Sequence, residues 1–289
     1  FKIIRMNKVK TGIILFISGM LFSGISIAAS GNESNVAESL DFGTNIAQLD
    51  AEAEQRSLKE YDWGVSIGAS ISDFTPVRDN EWKDNSISIR RHFPDGSIAL
   101  EALKAERYGD TDAALALDAY APLWSRAYAN LRFQHANSPT LFPVYSWRTE
   151  IYQGVNSGWE ISGSYDELSF GTNPVKIYSV GIGKYIGDFY LRLRQVFVPG
   201  DNGNSASQKG LMRYYFKGDA DNYFELNSSI GRDDDPLVIA KGNQNRDSLG
   251  VAFLSYPVKT LGYKLGCTYS RESNSYSERE IFGTLYYRW

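Results

Sequence analysis

Few side chains in this 289-residue chain are of the kinds that do chemistry, and their spacing argues against a reaction centre. A hydrolytic site needs a nucleophile within hydrogen-bond reach of a base. The only histidines are His92 and His135; His135-Ala136-Asn137-Ser138 is followed at once by Pro139, and the strand assignment below puts the two rings at opposite membrane faces, as interfacial polar residues. No catalytic residue is expected. Cys267, the single cysteine, sits between Leu265 and Tyr269 in an alternating segment, which suits a small apolar side chain on an outer face. One cysteine allows neither an intrachain disulfide nor a Cys-based metal site. Asp233-Asp234-Asp235 clusters the carboxylates a hard cation takes, but without the spaced ligands of a dedicated loop. A solvated loop tip is expected there, with no metal and no cofactor.

The remaining charges lie in segments of period two. Phe189, Leu191, Leu193 and Phe197 fall on one face, Tyr190, Arg192 and Arg194 on the other. Ala127, Ala129, Leu131 and Phe133 oppose Tyr128, Asn130, Arg132 and Gln134; Trp63, Val65, Ile67, Ala69 and Ile71 oppose Gly64, Ser66, Gly68 and Ser70. Such alternation marks strands with one apolar face. Fourteen are expected, within a range of twelve to sixteen: 61–73, 81–93, 96–108, 110–120, 124–135, 144–153, 158–169, 174–186, 188–198, 207–217, 222–231, 246–256, 260–271 and 278–289. Tight turns such as 93–96 and 187–188 alternate with longer polar connections such as 136–143 and 232–245. An even strand count, segments of about ten residues and loops that alternate in length are the pattern of a closed antiparallel transmembrane barrel. Glu101, Lys104 and Glu106 do not share a parity, which predicts a bulge or a strand end standing clear of the bilayer.

The first sixty residues differ. Lys2, Arg5, Lys8 and Lys10 precede an apolar run from Ile13 to Ile27 and the small residues Ala28-Ala29-Ser30, the three-part pattern of a cleaved signal peptide over 1–30. Without it the chain holds 26 basic against 34 acidic side chains, a net of −8 against −4 for the whole. An acidic exported protein is a poor partner for nucleic acid. Residues 31–60 carry seven acids against Arg56 and Lys59 and read as a disordered acidic periplasmic tail. Residues 61–289 form the barrel domain. With a periplasmic N-terminus, the longer loops fall outside.

The opening Tyr61-Asp62-Trp63-Gly64, the Gly/Tyr-rich segment Tyr178-Ser179-Val180-Gly181-Ile182-Gly183-Lys184-Tyr185 and the closing Tyr286-Tyr287-Arg288-Trp289 resemble the YaiO family of outer-membrane β-barrels over about 61–289. The resemblance implies an outer-membrane location in a Gram-negative envelope, and no established substrate. The last strand also looks like the signal read by barrel-assembly machinery: Ile281, Leu285, Tyr287 and Trp289 alternate, although Gly283 stands four before Tyr287, where the usual spacing is three. Expected partners are outer-membrane lipid, lipopolysaccharide, that machinery, and a polysaccharide or small solute.

An Arg on the lipid face near the midplane costs roughly 2–4 kcal/mol, so charges within strands should face the lumen. Parity assigns Arg90, Glu101, Arg132, Arg148, Glu150, Glu160, Asp166, Arg192, Arg194, Arg213, Glu225, Lys264 and Arg288 there. The inward small residues Gly64, Gly68, Ser179, Gly181, Gly183 and Ser229 are expected to leave space. The leading expectation is a non-enzymatic barrel, either a narrow channel or an envelope-polysaccharide export component. In a channel, Arg192 and Arg194, two residues apart on one face, are expected to form a basic constriction that favours anions. A structural or surface-binding barrel with an occluded lumen and a lipid-modifying hydrolase are the alternatives.

Overall fold

A strand with one apolar face must cover it with another sheet or with lipid, and its edges must find partners. In the computed structural model, which describes residues 61–75, 81–107, 109–171, 174–200, 204–216, 220–232, 245–273 and 276–289, both demands are met by closure. The expected signal peptide, the acidic tail and Asp233-Asp234-Asp235 lie outside the described residues.

Fourteen antiparallel strands form one closed barrel: β1 (Trp63–Thr75), β2 (Trp82–Phe93), β3 (Gly96–Arg107), β4 (Asp110–Trp124), β5 (Ala127–Ala136), β6 (Tyr145–Gly154), β7 (Trp159–Ser169), β8 (Pro174–Ile186), β9 (Phe189–Val198), β10 (Ser205–Tyr215), β11 (Tyr223–Arg232), β12 (Asn245–Val258), β13 (Leu261–Glu272) and β14 (Ser277–Arg288). Each strand pairs with its neighbours in sequence, and β14 returns to β1. Gly64, Arg90, Ala99, Asp118, Arg132, Arg148 and Asp166 are successive register partners. That line starts near the beginning of β1 and climbs towards the end of β7, so the strands are tilted, as closure requires.

The apolar faces point out. Ile67, Leu115, Leu193, Ile281 and Leu285 are among the large apolar side chains left exposed on the outer wall. Exposed Phe93, Trp124, Trp159, Phe189 and Trp289 collect at the end that holds both chain termini of the barrel; Tyr145, Trp147, Tyr178 and Tyr269 lie towards the other. An aromatic ring with a polar tip is favoured at the headgroup level, so these girdles bracket an apolar band. Short connections such as 94–95, 125–126 and 187–188 lie at the terminal end; the longer 137–144 lies at the opposite, loop end. Cys267 is exposed on the outer face.

β3 carries no bulge: its registers with β2 and β4 run unbroken. The mismatched charges are a strand end. Lys104 and Glu106 both face outward near the loop end and pair with each other, whereas Glu101 is buried inside. The register shifts lie instead between Pro122 and Trp124 and between Ser255 and Val258. Pro122 and Pro257 have no N–H to donate, so the ladder slips there. These two strands consequently run further than the expected ends at 120 and 256.

The seam is sealed by backbone. Gly64 to Thr75 pair in continuous register with Arg288 to Ser277. Trp63 N–H donates to the Trp289 carbonyl (3.1 Å), and Trp289 N–H donates to that of Trp63 (3.0 Å). Ile281, Leu285, Tyr287 and Trp289 face lipid, with Gly283 between them opposite Ala69. Deleting Trp289 removes the last ladder pair and a girdle residue together. The deletion is expected to leave exported chain that is degraded before insertion, measured as loss of the heat-modifiable band from the outer-membrane fraction; a wild-type yield of that band contradicts this.

Candidate functional site in the barrel lumen

The inner wall is organised by one recurring arrangement. A long charged or phenolic side chain lies along the circumference, over a small residue on the next strand, and reaches a carboxylate beyond it. Arg90 of β2 passes Ala99 of β3 and donates to Asp118 of β4 (2.8 Å), with a second bond to Ser97 (2.9 Å). Arg132 of β5 reaches Glu101 of β3 (2.6 Å) past Ala116 of β4. From β9, Arg192 crosses β8 and β7 to Glu150 of β6 (2.6 Å), donating also to the Ser162 hydroxyl (2.9 Å). Gly181 lies beneath it: a Cβ there would stand 2.6 Å from Ser162 Oγ and 3.5 Å from Arg192 Nε. Tyr190 lies over Gly183, where a Cβ would meet its hydroxyl at 2.8 Å, and donates to Glu160 of β7 (3.0 Å).

Every lumen candidate from the sequence faces inward. Arg148 pairs with Asp166 on the next strand, and Arg194 shares Glu150 with Arg192. Glu225 binds Arg213 (2.6 Å) and lies 3.6 Å from Lys264; all three side chains are almost wholly buried, at 0%, 1% and 0% exposure. Arg288 is anchored at the terminal end by both oxygens of Asp221 (3.1 and 2.6 Å) and by the Lys259 carbonyl (2.6 Å). Two expectations need correction. Gly181 and Gly183 do not leave open space, because Arg192 and Tyr190 occupy it. Arg192 and Arg194 do not form an unopposed basic constriction, because Glu150 lies between them. His92 is also buried inside rather than interfacial, while His135 is exposed outside at the loop end.

Other inward residues were missed. Asp118 holds both Arg90 and the Asn130 amide (2.9 Å), and its parity with Ala114 and Ala116 was the available signal. Asp221 lies in a connection, where no periodicity marks it. Arg107 with Asp84 (3.0 Å) and Arg246 with Glu278 (2.7 Å) complete the loop-end half.

Charge is divided across the diameter. β6–β10 present Arg148, Arg192, Arg194, Lys209 and Arg213 against Glu150, Glu160 and Asp166. Near the loop end of the facing wall, Asp84, Glu272, Glu278 and Glu280 outnumber Arg246 and Arg107. On that same facing wall, further from the loop end, β14, β1 and β2 give a smooth polar sector of half-buried Ser66, Ser70, Ser86, Ser88 and Thr284. Each ion pair named here joins strands at most three apart in a wall of fourteen, so the charges line the lumen without bridging it.

An apolar outer belt between aromatic girdles, around an ionic interior, makes this an outer-membrane β-barrel protein. Residues 63–235 match the YaiO membrane beta barrel domain, and the chain belongs to that family. Similar solved structures include the CymD monoaromatic hydrocarbon channel (TM-score 0.53, 9% identity, covering 82% of this chain and 92% of that one). Omp33 of Acinetobacter baumannii (0.52, 9%, 79% and 98%) and a bacterial polysaccharide outer membrane secretin (0.50, 8%, 78% and 98%) are also similar. At such identities the likeness is one of fold. No curated protein matches the chain.

Removing one member of a buried ion pair strands the other and costs about 3–5 kcal/mol. Glu225→Gln leaves Arg213 and Lys264 without their shared carboxylate. Its urea unfolding midpoint in lipid vesicles is expected to fall clearly, while Lys104→Gln on the outer face leaves the midpoint unchanged; equal midpoints for wild type and Glu225→Gln contradict this.

Proposed function

We propose that this barrel is a narrow, non-enzymatic diffusion channel for small hydrophilic solutes, with its N-terminus in the periplasm. The observation that carries the reading is the circumferential course of the lumen side chains. Charges held against the wall by partners no more than three strands away leave the axis of a fourteen-stranded barrel to water, where diametric pairs would plug it. The half-buried serine sector supports a wet lumen. The orientation is supported by the concentration of short turns at the terminal end, the usual periplasmic side of such barrels. His92 and His135 lie at opposite ends on opposite faces and share no site; Ser97, the register partner of His92, accepts a hydrogen bond from Arg90 (2.9 Å).

Selectivity follows from the cluster on β6 and β9. Glu150 carries one negative charge between the positive charges of Arg192 and Arg194, so the cluster is net positive and favours anions. In planar bilayers the purified barrel is expected to give steady, anion-preferring conductance. Glu150→Gln should strengthen that preference, and Arg192→Gln with Arg194→Gln should turn it towards cations. Folded variants that are electrically silent, or that shift selectivity in the same direction, contradict the channel.

A further inference from the structure

The connection between β5 and β6, residues 137–144, does not stand free above the wall. Its base is closed by Ala136 N–H, which donates to the Val144 carbonyl (3.0 Å), and by Val144 N–H, which donates to that of Ser169 (2.8 Å). Between these bonds the segment Thr140-Leu141-Phe142 is held by one side chain, Asp112 of β4. Asp112 Oδ2 accepts from three consecutive backbone N–H groups, those of Thr140 (2.8 Å), Leu141 and Phe142 (2.9 Å). Asp112 Oδ1 accepts from the Thr140 hydroxyl (3.3 Å). Successive N–H groups converging on one oxygen form a backbone nest for an anion, filled here from within the chain.

What lies beneath sets the direction of the fold. Ala105 of β3, Ala114 of β4 and Ala136 of β5 belong to the inward set, as does Asp112, the register partner of Ala105. Leu141 and Phe142 pack on these alanines, with Leu103 at the edge, and keep only 1% and 6% of their surface exposed. Side chains seated on inward alanines lie inside the rim. Pro139 and Pro143 bracket the segment and restrict its backbone, so the insert is stiff. Elsewhere in the wall an inward alanine is the floor for one arginine; here a recess spanning three strands takes a piece of main chain. The layer continues along the loop end, where Phe74, Trp82 and Tyr276 pack together inside and Arg107 lies 4.9 Å from the Trp82 ring centroid. From the start of β14 round to β5 the mouth therefore carries a second layer within the sheet.

Resting on the channel reading above, we propose that the inserted segment 140–143 is the size filter at the loop-end mouth of the lumen, and that Asp112 is the positioning residue that holds it there. An ion pair lying flat adds side chains to the wall; the insert adds main chain as well, so the mouth is narrower than the middle. Asp112 is not a charged lining group, because its oxygens are turned to the N–H groups of the loop.

The test uses the full barrel with Cys267→Ala, each variant checked for the heat-modifiable folded form, and two readouts of which one does not depend on conduction. An Ala114→Cys thiol lies under the insert and is expected to react slowly with a small, membrane-impermeant thiol reagent. Adding Asp112→Ala should speed its modification about tenfold, since losing charge-assisted hydrogen bonds raises the population of the open segment. In planar bilayers Asp112→Ala should raise single-channel conductance and increase the size of the largest polyethylene glycol that enters the lumen. Asp112→Asn, which keeps an oxygen acceptor without the charge, should fall between; Leu141→Ser with Phe142→Ser, which leaves Asp112 in place, should act as Asp112→Ala does. A conducting barrel with the same conductance and polymer limit in wild type and Asp112→Ala overturns the filter and leaves the channel standing. Fast modification of Ala114→Cys while Asp112 is intact overturns the insertion itself. Silence of wild type and variants alike overturns the channel reading, and the filter with it.

Discussion

The bilayer core offers no water to hydrogen-bond, and the rest of this structure depends on that. Every backbone N–H and C=O inside the membrane must find its partner within the wall, so the sheet has to close. The closure between β1 and β14 is therefore as much a condition of the fold as any hydrogen bond within a hairpin. Closure in turn divides each strand's side chains into a lipid set and a lumen set. Because a charge facing hydrocarbon is costly, the charged residues of the membrane-spanning stretches go inside.

Once inside, those charges need compensation, and the geometry of a large barrel decides where it comes from. A guanidinium cannot reach the far wall of a fourteen-stranded barrel, but it can lie flat and reach a carboxylate up to three strands along the near one. That demands something small underneath. Ala99, Ala116, Gly181 and Gly183 meet the demand beneath Arg90, Arg132, Arg192 and Tyr190. The small inward residues are thus the floor of the ionic layer rather than empty volume. The same arrangement braces the wall with ion pairs that do not cross the barrel, so bracing is compatible with the proposed conduction.

Much of this was legible in the sequence because period-two alternation survives every local exception. All fourteen strands were found, and each predicted lumen residue lies inside because side-chain parity in a strand admits only two faces. The failures are of two physical kinds. Strand ends were misjudged where proline breaks the ladder without ending the strand, at Pro122 and Pro257. Partnerships were invisible because they join strands that are not adjacent. Nothing in the local sequence of Arg192 and Arg194 announces Glu150 more than forty residues away, so a pair read as a basic ring is an ion cluster. Asp221 was hidden for a related reason: a connection carries no periodicity, although it supplies the carboxylate that holds Arg288.

The central claim is that the ion pairs line a continuous aqueous lumen. Cysteine accessibility tests it most directly. With Cys267 replaced by Ala, Ser88→Cys places a single thiol on the smooth polar sector, half-buried and midway along β2. In proteoliposomes holding folded, heat-modifiable barrel, a small charged, membrane-impermeant thiol reagent is expected to modify it rapidly and a bulky one slowly. A Ser88→Cys thiol that stays unmodified by the small reagent in folded barrel would contradict the account, since the lumen would then be closed at its middle.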